Sequence, residues 1–312
     1  MKTRMTTLSL PKLTLRVNGE NHWFSLPPDQ LPALHPGPLN PEVLPSEEAA
    51  AEAQLAELRA VAKSKNGPIV ILLLGGRGAQ ALHRKLGELA KAEPVEEWIP
   101  RLHVFMQDAL APMPVDSSLS FVADFKRLFG PDFLAKVGSF NLLRTDAPNL
   151  EQELERYIQK LFELGGPDIF FLGHGPEAEA ASHLCYIRPG SGALLGDMAG
   201  LIPISAAILE HHISKFKAGG ASVCKQDEDE CRRARFILTM GPAVILKARR
   251  LVQSVVDADT APAKKLSYRR VLEAELSSDP AKLTEQLNQN PGLWVRLHPS
   301  VRSLILPNVL NR

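Results

Sequence analysis

The sequence predicts an α/β fold of three layers, a mostly parallel sheet with helices on both faces, plus an N-terminal hairpin extension. Three observations carry that expectation. Continuous apolar runs such as Pro68–Leu74 and Asp168–Leu172 have the composition of strands buried on both faces. Segments of helical period alternate with those runs, which calls for right-handed crossovers between parallel strands. Glycines follow two of the runs directly, at Gly75-Gly76 and at Gly173 and Gly175, where open α/β sheets collect ligands.

The elements follow in order. Leu13–Val17 alternates, Asn18-Gly19 is a hairpin-turn signal, and His22–Leu26 returns. Pro27–Pro45 is crowded with proline and without period, so it reads as a connector. Ser46, with Glu47 and Glu48 behind it, opens an alanine-rich helix to about Ser64. Pro68–Leu74 is a strand, Ala79–Lys91 a helix, His103–Met106 a strand and Ser118–Phe129 a helix. Leu150–Leu164 is a strongly periodic helix before the Asp168–Leu172 strand. After Pro176 a helix is expected, with Glu177 and Glu179 in its first turn as caps or catalytic groups. Phe236–Met240 and Val252–Val256 read as strands around an Ala243–Leu251 helix. Lys264–Leu276 reads as helix, and Trp294–Leu297 and Ser303–Leu306 as closing strands. The division that results is 1–45, hairpin and proline-rich connector, and 46–312, one α/β domain.

Composition excludes some classes of function. With 36 Lys+Arg against 35 Asp+Glu the net charge is +1, so neither nucleic acid nor an acidic membrane is advertised as partner. No apolar run is long enough to span a bilayer, and the basic N-terminus lacks the continuous apolar core of a signal peptide. Cys185, Cys224 and Cys231 form no C-x-x-C pair, which points to reduced thiols and the cytoplasm.

Four constellations could carry chemistry. Gly75-Gly76-Arg77-Gly78 sits between a buried strand and a helix, where backbone N–H groups can approach an anion, but its spacing matches neither G-x-G-x-x-G nor the P-loop. The alternative there is a tight turn with no ligand. Asp108 ends a central strand, a place for a base or for a turn aspartate bonding its own backbone. Glu179 and His183 fall four apart with His174 nearby, yet no further ligand cluster joins them, so no metal is expected. His211-His212 is read as surface. The acidic run Asp227–Glu230 before Arg232, Arg233 and Arg235 is read as a solvated loop, from which Arg232 or Arg233 could still reach a phosphate.

Several segments, taken together, resemble the glucosamine-6-phosphate deaminase and 6-phosphogluconolactonase superfamily over roughly Ile69 to Leu306. Gly75-Gly76 sits where the family has Gly-Gly-Ser/Thr-Thr-Pro. Phe105-Met-Gln-Asp108 with Pro112 and Pro114 resembles its Asp-Glu-Tyr-Val-Gly-Leu-Pro segment. Asp168–Ser182 is similar to Asp-hydrophobic-Gly-x-Gly-x-Asp-Gly-His-x-Ala-Ser, and Phe236–Pro242, Lys264 and Leu297-His298-Pro299 continue in the same order. The resemblance implies that Asp108 is the base that moves a proton between C2 and C1 of an opened amino sugar. It also implies that Lys264 clamps the sugar phosphate over the Gly75, Gly76, Arg77 and Gly78 amides. The Leu-His-Pro segment tilts toward deaminases and Ala181-Ser182 toward lactonases. The family's Asp-Gly-His is Glu177-Ala178-Glu179 here, so its histidine is missing from that motif and Glu177 and Glu179 are the candidate replacements.

The reading is therefore a sugar-phosphate enzyme, isomerase/deaminase or lactone hydrolase, that needs no cofactor and has a phosphorylated sugar as its partner; self-association is left open. The alternative is a sugar-phosphate-binding or regulatory protein that kept the fold and lost the chemistry.

Overall fold

The computed structural model describes residues 12–177, 180–259 and 261–310. In its N-terminal part β1 (Thr14–Asn18) and β2 (Asn21–Ser25) precede β3 (Pro41–Val43), α1 (Glu47–Ser64), β4 (Ile69–Leu73) and α2 (Gln80–Leu89). Next come β5 (Leu102–Met106), β6 (Asp108–Ala111), α3 (Phe121–Lys136), β7 (Ser139–Asn141), α4 (Leu150–Glu163) and β8 (Ile169–Leu172). The short strands β9 (Gly175–Pro176) and β10 (Ser182–His183) lead to β11 (Asp197–Pro203), α5 (Ala206–Ala218), α6 (Lys225–Cys231) and β12 (Phe236–Met240). The chain closes with α7 (Pro242–Lys247), β13 (Arg250–Val255), α8 (Ala263–Glu273), α9 (Pro280–Gln289), β14 (Val301–Ile305) and α10 (Pro307–Leu310).

Seven strands form one sheet in the order β3-β14-β13-β8-β4-β5-β7, and every neighbouring pair is parallel. The residues of β4 and β8 are all buried, which is why their sequences are unbroken apolar runs. Two helix starts show a local cause in side-chain caps. The Ser46 hydroxyl accepts the Ala49 N–H at 3.1 Å and the Ser120 hydroxyl the Ala123 N–H at 3.0 Å, two N-caps that set where α1 and α3 begin. The α/β expectation is met.

A second sheet, antiparallel throughout, runs β1-β2-β11-β12-β6. Helix α4 lies between the two sheets. Its Tyr157 hydroxyl accepts the Met106 N–H of β5 at 2.6 Å, while the helix also packs on β11. The chain passes from one sheet to the other at Gln107. Its N–H donates to Leu73 O of β4 at 3.0 Å, and its carbonyl accepts the Met240 N–H of β12 at 2.8 Å.

The N-terminal hairpin docks on β11. Its two-residue loop is Gly19-Glu20, one place beyond the Asn18-Gly19 signal, with Gly19 at φ +61°. Trp23 is fully buried and donates to Ser191 O at 3.1 Å. Asp197 binds the Arg16 guanidinium and the Ser25 hydroxyl together, and accepts the Leu194 N–H at 2.6 Å.

Several local expectations are corrected. The proline-rich stretch contains β3, because a three-residue strand needs only its Leu44 N–H and neighbours to pair on β14. Glu177 precedes no α-helix among the described residues: its N–H donates to Ala181 O at 2.8 Å beside the β9–β10 pairing, and His183 is a strand residue. Glu179 lies outside the described residues. The acidic run is helix α6, nucleated by Asp227 accepting the Cys224 N–H at 2.8 Å. Trp294–Leu297 belongs to a 3-10 turn that starts at Pro291, whose fixed φ favours helical backbone.

Candidate active site

The carboxyl ends of β4, β5, β8 and β13 open onto one cleft, as the rule for open parallel sheets requires. Behind β4 the Gly75–Gly78 loop lines it. Behind β5 stand Gln107 and Asp108; behind β8, Gly173, His174 and Gly175; at the end of β13, Ser254 within the strand and Asp257 after it. Two further elements complete the wall. Helix α5 contributes His211, His212, Lys215 and Phe216, and helix α8 contributes Lys264.

The glycine loop is shaped by necessity. A Cβ on Gly75 would lie 2.1 Å from the Phe121 ring, and Gly76 has φ +75°. Arg77 turns out of the loop to a two-pronged pairing with Glu47 in the first turn of α1. Glu47 holds its guanidinium above the usual range, against the effect of burial.

Beyond the loop lies a cluster of charge. Lys264 Nζ donates to Asp257 Oδ1 at 2.6 Å, and Lys215 Nζ approaches Oδ2 at 3.7 Å. All three side chains are buried. Burial would raise the Asp257 carboxyl, but the charges of Lys264 and Lys215 outweigh it and hold the group below its ordinary value. Burial pulls the Lys215 ammonium down from its ordinary value. His211, lowered to about 4 by burial and then by Lys215 and Lys264, is a neutral imidazole here.

Asp108 occupies a different part of the cleft. It is 2 % exposed, accepts the Gln107 side-chain amide at Oδ2 (2.7 Å), and among the described residues its buried Oδ1 has no partner. Burial pushes its carboxyl up to about 7, with the Gln107 bond pulling modestly the other way. Its negative field also reaches Cys185 and Tyr186, whereas that of Asp257 reaches Arg77, His174 and His211. The cleft therefore has a cationic end and a carboxylate end.

The structure brings Gly75, Gly76, Arg77, Gly78, Lys264 and Asp108 together around one cleft. Glu177 reaches it through His183, whose Nδ1 lies 2.6 Å from Glu177 Oε1. His298 does not belong to it; backbone groups engage both ring nitrogens, Ala248 O at 2.7 Å and Ser300 N–H at 2.9 Å. Arg232 is also elsewhere, bound to Glu210 at 2.6 Å. His212, expected at the surface, is buried and bonds Leu119 O at 2.7 Å through Nε2. Lys215 and His183 went unassigned in the sequence. The signal for Lys215 was there, since His211 and Lys215, like His212 and Phe216, fall four apart on one helical face. Among the described residues no cluster of three or more His, Cys, Asp or Glu could hold a metal ion.

No family model matches the chain. Two curated relatives are similar over 136 residues, 44% of this chain: the glucosamine-6-phosphate deaminases of Bacteroides thetaiotaomicron, at 26% identity, and Parabacteroides distasonis, at 27%. That match spans about half the length of either relative, 48%. Among solved structures, a monomeric glucosamine-6-phosphate deaminase superposes with a TM-score of 0.64 at 20% identity, covering 87% of this chain and 98% of that one. The 6-phosphogluconolactonase of Trypanosoma cruzi gives 0.58 at 15% identity, with coverage of 88% and 97%. The fold is thus the one seen in these deaminase and lactonase structures, and over 136 residues the sequence is similar to those of the two curated glucosamine-6-phosphate deaminases.

Proposed function

We propose that the chain acts on a phosphorylated sugar, with the phosphate at the Gly75–Gly78 loop beside Lys264 and Lys215 and with Asp108 moving the proton. One observation carries this reading. Asp108 is a buried carboxylate with an oxygen left unbonded, on the same cleft as two ammonium groups. Structural buried carboxylates normally have their oxygens satisfied. A base serves best when its pKa lies near the working pH, and burial puts Asp108 at about 7.

Isomerisation of an amino-sugar phosphate with loss of ammonia is the first reading, because the curated relatives are named glucosamine-6-phosphate deaminase. In it Asp108 takes a proton from C2 of the opened sugar and returns it to C1. Gly75, Gly76 and Gly78 offer neutral donors; Lys264 and Lys215 supply the charge, while the Arg77 guanidinium is taken up by Glu47. The free thiols Cys185, Cys224 and Cys231 fit the reducing cytoplasm. A binding protein without turnover is the second reading, favoured by Glu177-Ala178-Glu179 standing where the family has Asp-Gly-His.

Thermal shift with glucosamine 6-phosphate and 6-phosphogluconate, followed by turnover assays on glucosamine 6-phosphate and 6-phosphogluconolactone, tests both. Stabilisation with turnover supports the enzyme; stabilisation alone supports the binding protein. No response to any sugar phosphate would sink both readings.

A further inference from the structure

The β9–β10 hairpin carries a histidine–carboxylate pair at the wall of the cleft. His183 Nδ1 lies 2.6 Å from Glu177 Oε1, with side-chain exposures of 11% and 19%. Its ring stacks on Tyr186 at a centroid distance of 5.0 Å. On the other side it lies against the backbone of Gly175, where a Cβ would come within 1.7 Å of Nε2, so no other residue fits beneath it. Nδ1 is therefore the nitrogen bound to the carboxylate, and among the described residues Nε2 has no hydrogen-bond partner. An imidazole held this way has one tautomer and one free nitrogen.

The frame around the pair is over-built for a surface turn. Ser182 N–H and its hydroxyl both bond Asn290 Oδ1, at 3.0 and 2.5 Å, and the Gly292 N–H donates to the same hydroxyl at 3.1 Å. Cys185 and Tyr186, the residues that follow, have φ of +51° and +55°, a conformation that costs non-glycine residues energy and clusters at working sites.

We infer that His183, oriented by Glu177, is a second proton-transfer group of this cleft, and that Asn290 is a positioning residue acting through Ser182. The inference rests on the sugar-phosphate reading above. The step is a proton transfer alone: a substrate O–H breaks, an N–H forms at Nε2, and Glu177 balances the charge on the imidazolium. The same proton then passes to a departing oxygen. Asp108 is left to the carbon-bound proton, so the two transfers use different groups.

The test combines kinetics with nitrogen NMR of histidine-labelled full-length protein. His183→Gln should lower kcat about 10²–10⁴-fold with KM little changed. Asn290→Ala should lower kcat by a smaller factor, and Asn290→Asp, which keeps the acceptor oxygen, should restore it. In the parent, the Nε2 resonance of His183 should move on adding glucosamine 6-phosphate. An Nε2 resonance that stays put while glucosamine 6-phosphate binds, or a His183→Gln enzyme with parental kcat, overturns the inference and leaves the sugar-phosphate reading standing. Failure of glucosamine 6-phosphate, 6-phosphogluconate and inorganic phosphate to bind at all overturns both.

Discussion

Lys264 and Asp257 meet across 2.6 Å inside the cleft, and Lys215 closes on the same carboxylate from a different helix. An arriving phosphate has to compete with Asp257 for these two ammonium groups. Lys264→Ala should weaken sugar-phosphate binding roughly ten- to hundredfold, the worth of about 1.5–3 kcal/mol for a charge-assisted bond. Asp257→Asn should act in the opposite sense and tighten it, by about tenfold, because one negative charge leaves the site. Isothermal titration with glucose 6-phosphate reads both, and equal affinity in parent and Lys264→Ala would show that the phosphate sits elsewhere.

On the proposed reading, the Asp108 proton couples activity to stability. A carboxyl raised to about 7 in the folded state, against an ordinary 3.8, binds its proton more tightly folded than unfolded. Its contribution is complete below the unfolded value and is lost as pH rises toward 7, a swing of about 4 kcal/mol by linkage. Asp108→Asn mimics the protonated form, so it should leave the midpoint of thermal unfolding nearly unchanged at pH 4 and raise it at pH 8. Turnover should vanish while phosphate binding stays close to parental. A variant equally stabilised at both pH values would mean that Asp108 is ionised throughout.

Gly75 is placed by contact rather than by backbone angle. The methyl of Gly75→Ala would overlap the Phe121 ring, which itself packs among Tyr186, His212 and Phe216. Relief has to come from the loop, so its amides should lose their aim. The expected cost is about 1–3 kcal/mol of stability together with weakened binding of inorganic phosphate. Gly75→Ala/Phe121→Leu, which makes room, should recover part of both in urea unfolding and titration.

The hairpin is part of the folded body. Trp23→Ala removes a fully buried side chain and should cost about 3–5 kcal/mol. Asp197→Ala leaves Arg16 and Ser25 without their acceptor and should expose the hairpin to proteases. Limited proteolysis with mass spectrometry should find cleavage between β1 and β2 early in Asp197→Ala and late in the parent.

The parallel sheet was legible because strands buried on both faces announce themselves in any continuous apolar run, as Ile69–Leu73 does. The antiparallel sheet was not. Asp197–Pro203 reads Asp-Met-Ala-Gly-Leu-Ile-Pro, and Gly200 is there because Trp23, far away in sequence, lies 2.6 Å from where its Cβ would be. Pairing that depends on such a partner leaves no local period. After Gly175 the local cues misled: Pro176 and the acids that follow mimic a helix start, while the Glu177 N–H donates to Ala181 O beside a pair of short strands. Of the candidate site, the glycines, Asp108 and Lys264 were visible through strand ends and motif order. Lys215 carried only the helical-face spacing with His211 and lay far from any motif, and His183 was obscured by the misread helix.

One consequence of the crossing at Gln107 concerns how signals travel in this molecule. Its N–H belongs to the parallel sheet and its carbonyl to the antiparallel one, and the very next residue is Asp108. The antiparallel sheet continues through β12 and β11 to the hairpin strands near the N-terminus. Any agent that pulls on the hairpin, a neighbouring protein or a substitution at Trp23, loads a chain of hydrogen-bonded strands that ends at the carboxylate. The N-terminal segment is in this sense tied by backbone hydrogen bonds to the strand that carries Asp108, and remote mutations there belong in any survey of the proposed activity.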